Sequence, residues 1–384
     1  MLGLCTCRRP LLGGAAMLAF GAAGARAQGT DHAALLARLR QGDLLDAYAL
    51  EPVREIAAAL GRAMGVRGGV AVNEAPRGAD GILVCVLRAA RDRRAPLPDD
   101  VAQDPPPASP VADTARRVIW VNADFLRTLA VQISLFGNAA WGGGGLTGVQ
   151  AVARSRLEPP PGHERYWNPK TSPAFLHPTL GLVARGAAGF VLAHEIAHVL
   201  LGEPPSVEAA LRGLPRRARQ LAPMCPGLTL PAVAKRRAYE DAADARALEA
   251  VLAGGPALGQ GPVGLPGELG IATLFTLRLG DDIVRVGSTV NTPIPQRLLE
   301  AQVGPETFAR LRADAVPRPG TDLVGLIYSD THPAVVERLL DVMRRLAKRP
   351  GSQWQGDADP ARSQAMWLQL VRMSCEEALR GPDR

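Results

Sequence analysis

The sequence predicts an α+β fold, mainly helical, with a small sheet beside one long apolar helix. Three observations predict it. Apolar residues recur at three- and four-residue spacing in stretches spread from Asp31 to Leu379, whereas only short runs such as Val118 to Val121 read as strands. The 384 residues are 47% hydrophobic and 21% charged, enough for one large or two modest domains with a full core. The 41 Gly and 33 Pro are dispersed without period, which excludes collagen-like, coiled-coil and wholly disordered chains.

Residues 1–27 read as a cleavable export signal, with a retained anchor as the alternative. Arg8 and Arg9 precede an acid-free apolar run from Leu11 to Ala25, and Ala25-Arg26-Ala27 is a small-x-small site predicting cleavage before Gln28. Arg8-Arg9-Pro10-Leu11-Leu12 resembles the core of a twin-arginine signal, so a periplasmic or secreted location is expected. Cys5 and Cys7 precede the apolar run and do not occupy a lipoprotein position. The mature chain is expected to be soluble, because its most apolar stretch, Thr179 to Leu201, is interrupted by Arg185, His194, Glu195 and His198.

The next region, 28–112, is expected to be an N-terminal α/β unit ending in a linker. Leu35, Leu36, Leu39, Leu44 and Leu45, then Ile56, Leu60 and Met64, predict two short amphipathic helices. Val70 to Val72 and Ile82 to Leu87 read as strands, and Arg91 to Asp113, with Pro105, Pro106 and Pro107, as a surface loop. The main domain is expected over 113–348. It opens with the strand Val118 to Val121, the capping residues Asn122-Ala123-Asp124 and a helix from Phe125 towards Leu135. An insertion at 137–178 follows, with the aromatic-bearing segments Trp141-Gly142-Gly143-Gly144-Gly145 and Tyr166-Trp167-Asn168-Pro169 suited to a lid or a packed surface loop. Helical patterns resume over Leu180 to Leu201, Ala232 to Leu252 and Pro333 to Ala347, separated by a Gly/Pro loop from Gly254 to Gly267 and a short strand at Leu326-Ile327-Tyr328. Residues 349–384 form a tail with a helix from Ser363 to Leu379.

Chemistry is concentrated in Val191-Leu192-Ala193-His194-Glu195-Ile196-Ala197-His198-Val199-Leu200-Leu201, an HExxH segment inside a helix-compatible run. On a helix, residues i and i+4 share a face with β-carbons roughly 5 to 6 Å apart, so His194 and His198 can converge on one ion. Glu195 is offset around the helix, where it is free to take a proton from water activated by that ion. With 6 His in the chain, chance supplies such a match with a probability on the order of one per cent or less. A pair of core histidines is the alternative, and both rings would then need buried partners.

Two imidazoles leave the shell of a catalytic zinc incomplete, since three protein ligands and one open position are usual. Downstream, Tyr239-Glu240-Asp241-Ala242-Ala243-Asp244 places Glu240 and Asp244 at i and i+4 on one face of a second helix. Glu240 can coordinate while Asp244 orients a ligand histidine through its second nitrogen. An acidic, solvated helix face would look the same in isolation.

HExxH, Glu-x-x-Ala-Asp and Ser329-Asp330-Thr331-His332-Pro333-Ala334-Val335-Val336-Glu337-Arg338 stand in an order that resembles the gluzincin metallopeptidases related to HtpX and the CAAX prenyl proteases. The resemblance spans roughly residues 115–347, while the insertion and the export signal depart from the membrane-embedded members' pattern. It implies a zincin-like domain in which His194, His198 and Glu240 bind one Zn²⁺, Glu195 is the general base and Asp244 stands behind the ligands. It leaves three roles open for His332: stabilising an oxyanion, binding substrate, or filling the fourth metal position in a closed form; a histidine that merely stands at a helix start before Pro333 is the alternative to all three. Arg338 binds substrate or pairs with an acid. The implied activity is endopeptidase hydrolysis, with an extended protein or peptide substrate expected along the strand Val118 to Val121.

Three cysteines, Cys85, Cys225 and Cys375, remain in the mature chain. Cys225 is expected to pair with Cys85 or Cys375; a free Cys225 thiolate closing the metal site is the alternative. The net charge of +7 is expected to have no nucleic-acid role, since aromatics are only 4% and Arg8, Arg9 and Arg26 fall in the export signal. Arg216, Arg217 and Arg219, and Lys235, Arg236 and Arg237, read mainly as solvated faces, with peripheral contact to acidic partners or anionic lipid as the other reading. Besides a zinc peptidase, the motif is compatible with a non-catalytic zinc protein that binds a partner, or with a zinc hydrolase acting on a non-peptide bond.

Overall fold

The computed structural model describes residues 50–74, 110–121, 125–126, 129–134, 178–214, 216–222, 225, 230–253, 267–278, 300, 304–313, 332–333, 335–349 and 375–376. The export signal, the strands expected at 82–87 and 326–328, Cys85, nearly all of the insertion and most of the C-terminal tail lie outside them. The described residues form a mostly helical α+β structure with one three-stranded mixed sheet.

Helix α1 (Leu50–Ala63) corresponds to the second of the two N-terminal helices expected from sequence. Its apolar face, Val53, Ile56, Ala57 and Leu60, is buried in the main core. The chain then enters β1 (Ala71–Glu74), which lies parallel to β3 (Val118–Val121), while β2 (Val111–Asp113) pairs antiparallel with the other side of β3. The strand order β1-β3-β2 corrects two expectations. Residues 111–113 end the proline-rich stretch as a strand, not as loop. The Val118 to Val121 strand is central, so its backbone is paired on both sides and it has no free edge to offer a substrate. Period-2 alternation cannot distinguish a central strand from an edge strand in so short a run.

Residues 125, 126 and 129–134 are helical, as expected after Val121, and bury Phe125, Leu126, Leu129, Ala130 and Ile133. The organising element is α2 (Pro178–Leu201). Proline at its first position is preset for the helical φ and loses no hydrogen bond there. Apolar residues surround most of the helix, which is the pattern of an element buried on all sides. Leu180–Leu201 is long and apolar enough to cross a membrane, but most of that stretch is buried within the protein itself. Gly202 ends the helix with φ of 79°, a left-handed conformation that favours glycine, and its N–H donates to the His198 carbonyl at 2.9 Å.

Helix α3 (Pro231–Ala253) packs along α2, and its buried residues, among them Glu240, Ala243, Asp244, Ala247 and Val251, recur at helical spacing. Helix α4 (Val335–Ala347) packs on α3 and contributes Val342 and Leu346 to the core. An additional helix at 267–278, not expected from the sequence, crosses α2 at Gly270 and sets Phe275 edge-on to Phe190, with ring centroids 5.3 Å apart. One hydrophobic core joins α1, the sheet, α2, α3 and α4, so packing continues across the boundary expected between residues 112 and 113. Shorter helices occur at Glu208–Leu211, Arg216–Leu221 and Pro305–Ala313.

Cys225 forms a disulfide with Cys375, tying the segment between α2 and α3 to the C-terminal region. This selects one of the two expected pairings and removes the alternative of a Cys225 thiolate at the metal site. Arg349 adds a second tie, meeting Glu268 at 3.1 Å and donating to the Leu252 carbonyl at 3.2 Å.

Candidate metal centre

Helical spacing brings His194 and His198 onto one face of α2, where their Nε2 atoms are 3.0 Å apart. Helix α3 presents Glu240 to the same point. Its Oε2 lies 3.5 Å from His194 Nε2 and 3.4 Å from His198 Nε2. His332, three residues before the start of α4, brings its Nε2 to 3.2 Å from the same oxygen. Glu240 is 1% exposed, which rejects the solvated-face alternative. Residues expected from sequence to act together are thus brought together from α2, α3 and the approach to α4.

These separations have a geometric meaning. Four ligand atoms at ~2.0–2.1 Å from a tetrahedral ion would be roughly 3.3 Å apart along each edge. The separation of the two α2 imidazoles and the three separations from Glu240 Oε2, 3.0 to 3.5 Å, bracket that value. Glu240 Oε2 is moreover buried without a properly directed hydrogen bond. Such an orphaned oxygen is costly unless a cation satisfies it. The residues therefore fit a metal ion. Two overlapping donor groups are present, His194 with Glu195 and His198, and His194 with Glu240 and His332.

The groups behind the donors are equally specific. His194 Nδ1 is 2.8 Å from Asp244 Oδ1, an ion-pair distance whose angle is poor for a linear hydrogen bond. Asp244 is gripped by Arg338 through two contacts, Nε to Oδ2 and Nη2 to Oδ1, both 2.7 Å. Arg338 thus pairs with an acid, one of its two expected roles, and its guanidinium also lies 5.4 Å from the Phe275 ring centroid. Arg237 ties the α4 approach to α3, donating to Glu337 at 2.8 Å and to the His332 carbonyl at 3.5 Å.

Electrostatics follow from this crowding. Burial alone would neutralise His194, but Asp244 and Glu240 outweigh it and raise its pKa to about 9. Burial also opposes ionisation of Glu240, yet the three imidazoles hold its carboxyl far below the usual carboxylate range. Asp244 is likewise held low against burial, by Arg338 and His194. The Tyr239 hydroxyl is pushed up to about 12, first by burial and then by the Glu240 charge.

Glu195 is oriented by a contact that sequence reading missed. The Ala112 N–H of β2 donates to its Oε2 at 2.8 Å, so the outer edge of the sheet borders the centre. Two further neighbours were also missed. Arg236 contacts Glu240 Oε1, and the Tyr239 ring stacks on His198 at 5.0 Å and 10° while its hydroxyl donates to the Gly202 carbonyl at 2.6 Å. The i,i+4 spacing of Arg236 and Glu240 was a readable signal. Nothing local signals the Ala112 contact, which spans 83 residues.

No protein-family model matches the chain, and no curated protein or solved structure is significantly similar to it.

Proposed function

We propose that this chain is an exported zinc-dependent endopeptidase of the gluzincin type, with a zincin-like domain built on α2 and α3. The observation that carries the reading is the convergence of His194, His198 and Glu240 on one point, with Glu195 beside it and outside the Glu240-centred contacts. A structural metal site has no need of such a base. His194, His198 and Glu240 would hold one Zn²⁺, and Asp244, backed by Arg338, fixes the His194 ring. When bound, the ion supplies Lewis acidity toward a carbonyl and acidifies water.

Glu195 then serves as the proton carrier. It takes a proton from the attacking water and returns it to the leaving amine, the role of a carboxylate positioned at hydrogen-bond range. In this reading His332, the most exposed of the three histidines at 42% of its side chain, would donate to the developing oxyanion. The substrate reading moves from β3 to β2. The outward Ala112 N–H reaches Glu195, and pairing of an extended segment with this edge would bring a peptide bond to the base. The substrate class is therefore protein or peptide in extended form, and residues 1–27 support a periplasmic or secreted setting.

One observation favours a second reading. His332 close to Glu240 Oε2 completes four protein donors, as in closed structural zinc sites, which suits a non-catalytic zinc protein. Purified wild type and Glu195→Gln, each with its zinc content measured, are to be compared on an unfolded protein substrate with and without a chelator. The peptidase reading expects chelator-sensitive cleavage by wild type and a loss of about 10²–10⁴-fold in Glu195→Gln at undiminished zinc content. Equal cleavage by both, or none by metallated wild type over a broad substrate panel, overturns it.

A further inference from the structure

Resting on the metal-centre reading, we propose that Arg236 is a positioning residue that confines Glu240 to ligation through one oxygen. A carboxylate can meet a cation with one or both oxygens, and the second mode would add a ligand at the corner a catalytic site must leave for water or substrate. What selects between them here is the distribution of donors on Glu240. Arg236 places both Nε and Nη2 at 3.1 Å from Oε1. Oε2 receives no directed hydrogen bond and faces the Nε2 atoms of His194, His198 and His332.

The contrast with the neighbouring pair is informative. Arg338 meets Asp244 fork to fork, one nitrogen per oxygen, the arrangement that maximises an ion pair. Arg236 instead commits two nitrogens to a single oxygen and leaves the other bare. At 1% exposure, Glu240 has little access to solvent that could replace the guanidinium on Oε1.

Arg236 is itself held in place. It lies one helical turn before Glu240 on α3, and its guanidinium carbon is 5.6 Å from the centroid of the Tyr239 ring. That ring stacks on His198, and its hydroxyl reaches the end of α2 through the Gly202 carbonyl. A single cluster therefore orients both His198 and the free oxygen of Glu240. Arg236 touches neither the expected substrate edge nor Glu195 in any described contact, so its action is exerted through Glu240.

Cobalt(II) in place of zinc makes the coordination number visible, because four-coordinate cobalt absorbs more strongly in the visible range than five-coordinate cobalt. The full chain carrying one cobalt per molecule is to be compared as wild type, Arg236→Met, Arg236→Ala and Arg236→Lys, with circular dichroism checking the fold. Wild type is expected to show strong four-coordinate bands. Met and Ala should lower their intensity about two- to threefold as Oε1 joins the ion, and Lys, which keeps a cation on Oε1, should restore most of it. Two truncating variants keep the test standing if one fails to fold. Wild-type intensity in folded, cobalt-loaded Arg236→Met or Arg236→Ala overturns the proposal while leaving the metal centre intact, as does a weak five-coordinate spectrum in wild type. A wild type that binds no cobalt overturns the metal centre and the role of Arg236 together.

Discussion

Replacing Asp244 with Asn separates what this residue does for the fold from what it does for the metal. Asp244 joins His194 Nδ1 at 2.8 Å to Arg338 at 2.7 Å on two nitrogens, and the Arg338 and Asp244 side chains are only 13% and 7% exposed. Asn keeps the shape and removes the charge, so a buried guanidinium is left facing a neutral amide. Breaking a buried ion pair from one side costs about 3–5 kcal/mol, and Asn still offers one acceptor, which places the expected loss near ~3 kcal/mol. Metal affinity should fall about 10–100-fold, the usual effect of removing the carboxylate behind a ligand histidine. Urea unfolding of the metal-free protein at pH 7 measures the first quantity, and competition with a chromophoric chelator the second. The double variant Asp244→Asn/Arg338→Met removes the stranded cation and should recover about half of the stability. It should recover none of the affinity, because His194 still lacks its carboxylate. Wild-type affinity in Asp244→Asn, or joint recovery of stability and affinity in the double variant, would refute the reasoning.

Two further outcomes are expected. In the metal-free protein His194 has a pKa raised to about 9, set by Asp244 and Glu240 against burial, so its contribution to stability is fully present below an unfolded value near 6.5 and is lost as pH rises through about 9. The urea midpoint should fall between pH 7 and pH 10, and metal uptake at pH 7 should release about one proton from that imidazolium into a weakly buffered solution; a flat midpoint with no proton release contradicts this. Gly270→Ala should destabilise by about 1–3 kcal/mol or more, although alanine is the better helix former. Its β-carbon would lie 2.5 Å from the Val183 carbonyl oxygen and 2.6 Å from the Ala187 nitrogen, backbone atoms that cannot swing aside, and an unchanged or raised Tm would show that the 267–278 helix does not cross α2 so closely.

The parts of the centre that could be read from the chain are those separated by one helical turn. His194 and His198, and Glu240 and Asp244, lie four residues apart, and the α-helix converts that interval directly into a shared face. The main helices were legible for the same reason, with α2 and α3 found within two residues of their expected ends. The helix at 267–278 was not, because it follows a Gly/Pro-rich stretch and its run from Ile271 to Leu277 is apolar on nearly every side, which leaves no amphipathic period to read.

Sequence by itself determined the candidate donors: the imidazoles of His194 and His198 and the carboxylates of Glu195 and Glu240, on helices whose period aligns them. Only the tertiary structure decided that Arg338 grips Asp244 across 94 residues, that Ala112 meets Glu195 across 83, that Cys225 selects Cys375, and that β2, not β3, is the edge beside Glu195 among the described strands. The physical reason is the range of the forces involved. Helical periodicity is imposed by each residue's own backbone bonds, while these pairings are chosen by how separate elements bury a common core, and the spacing of residues along a single chain carries no trace of that choice.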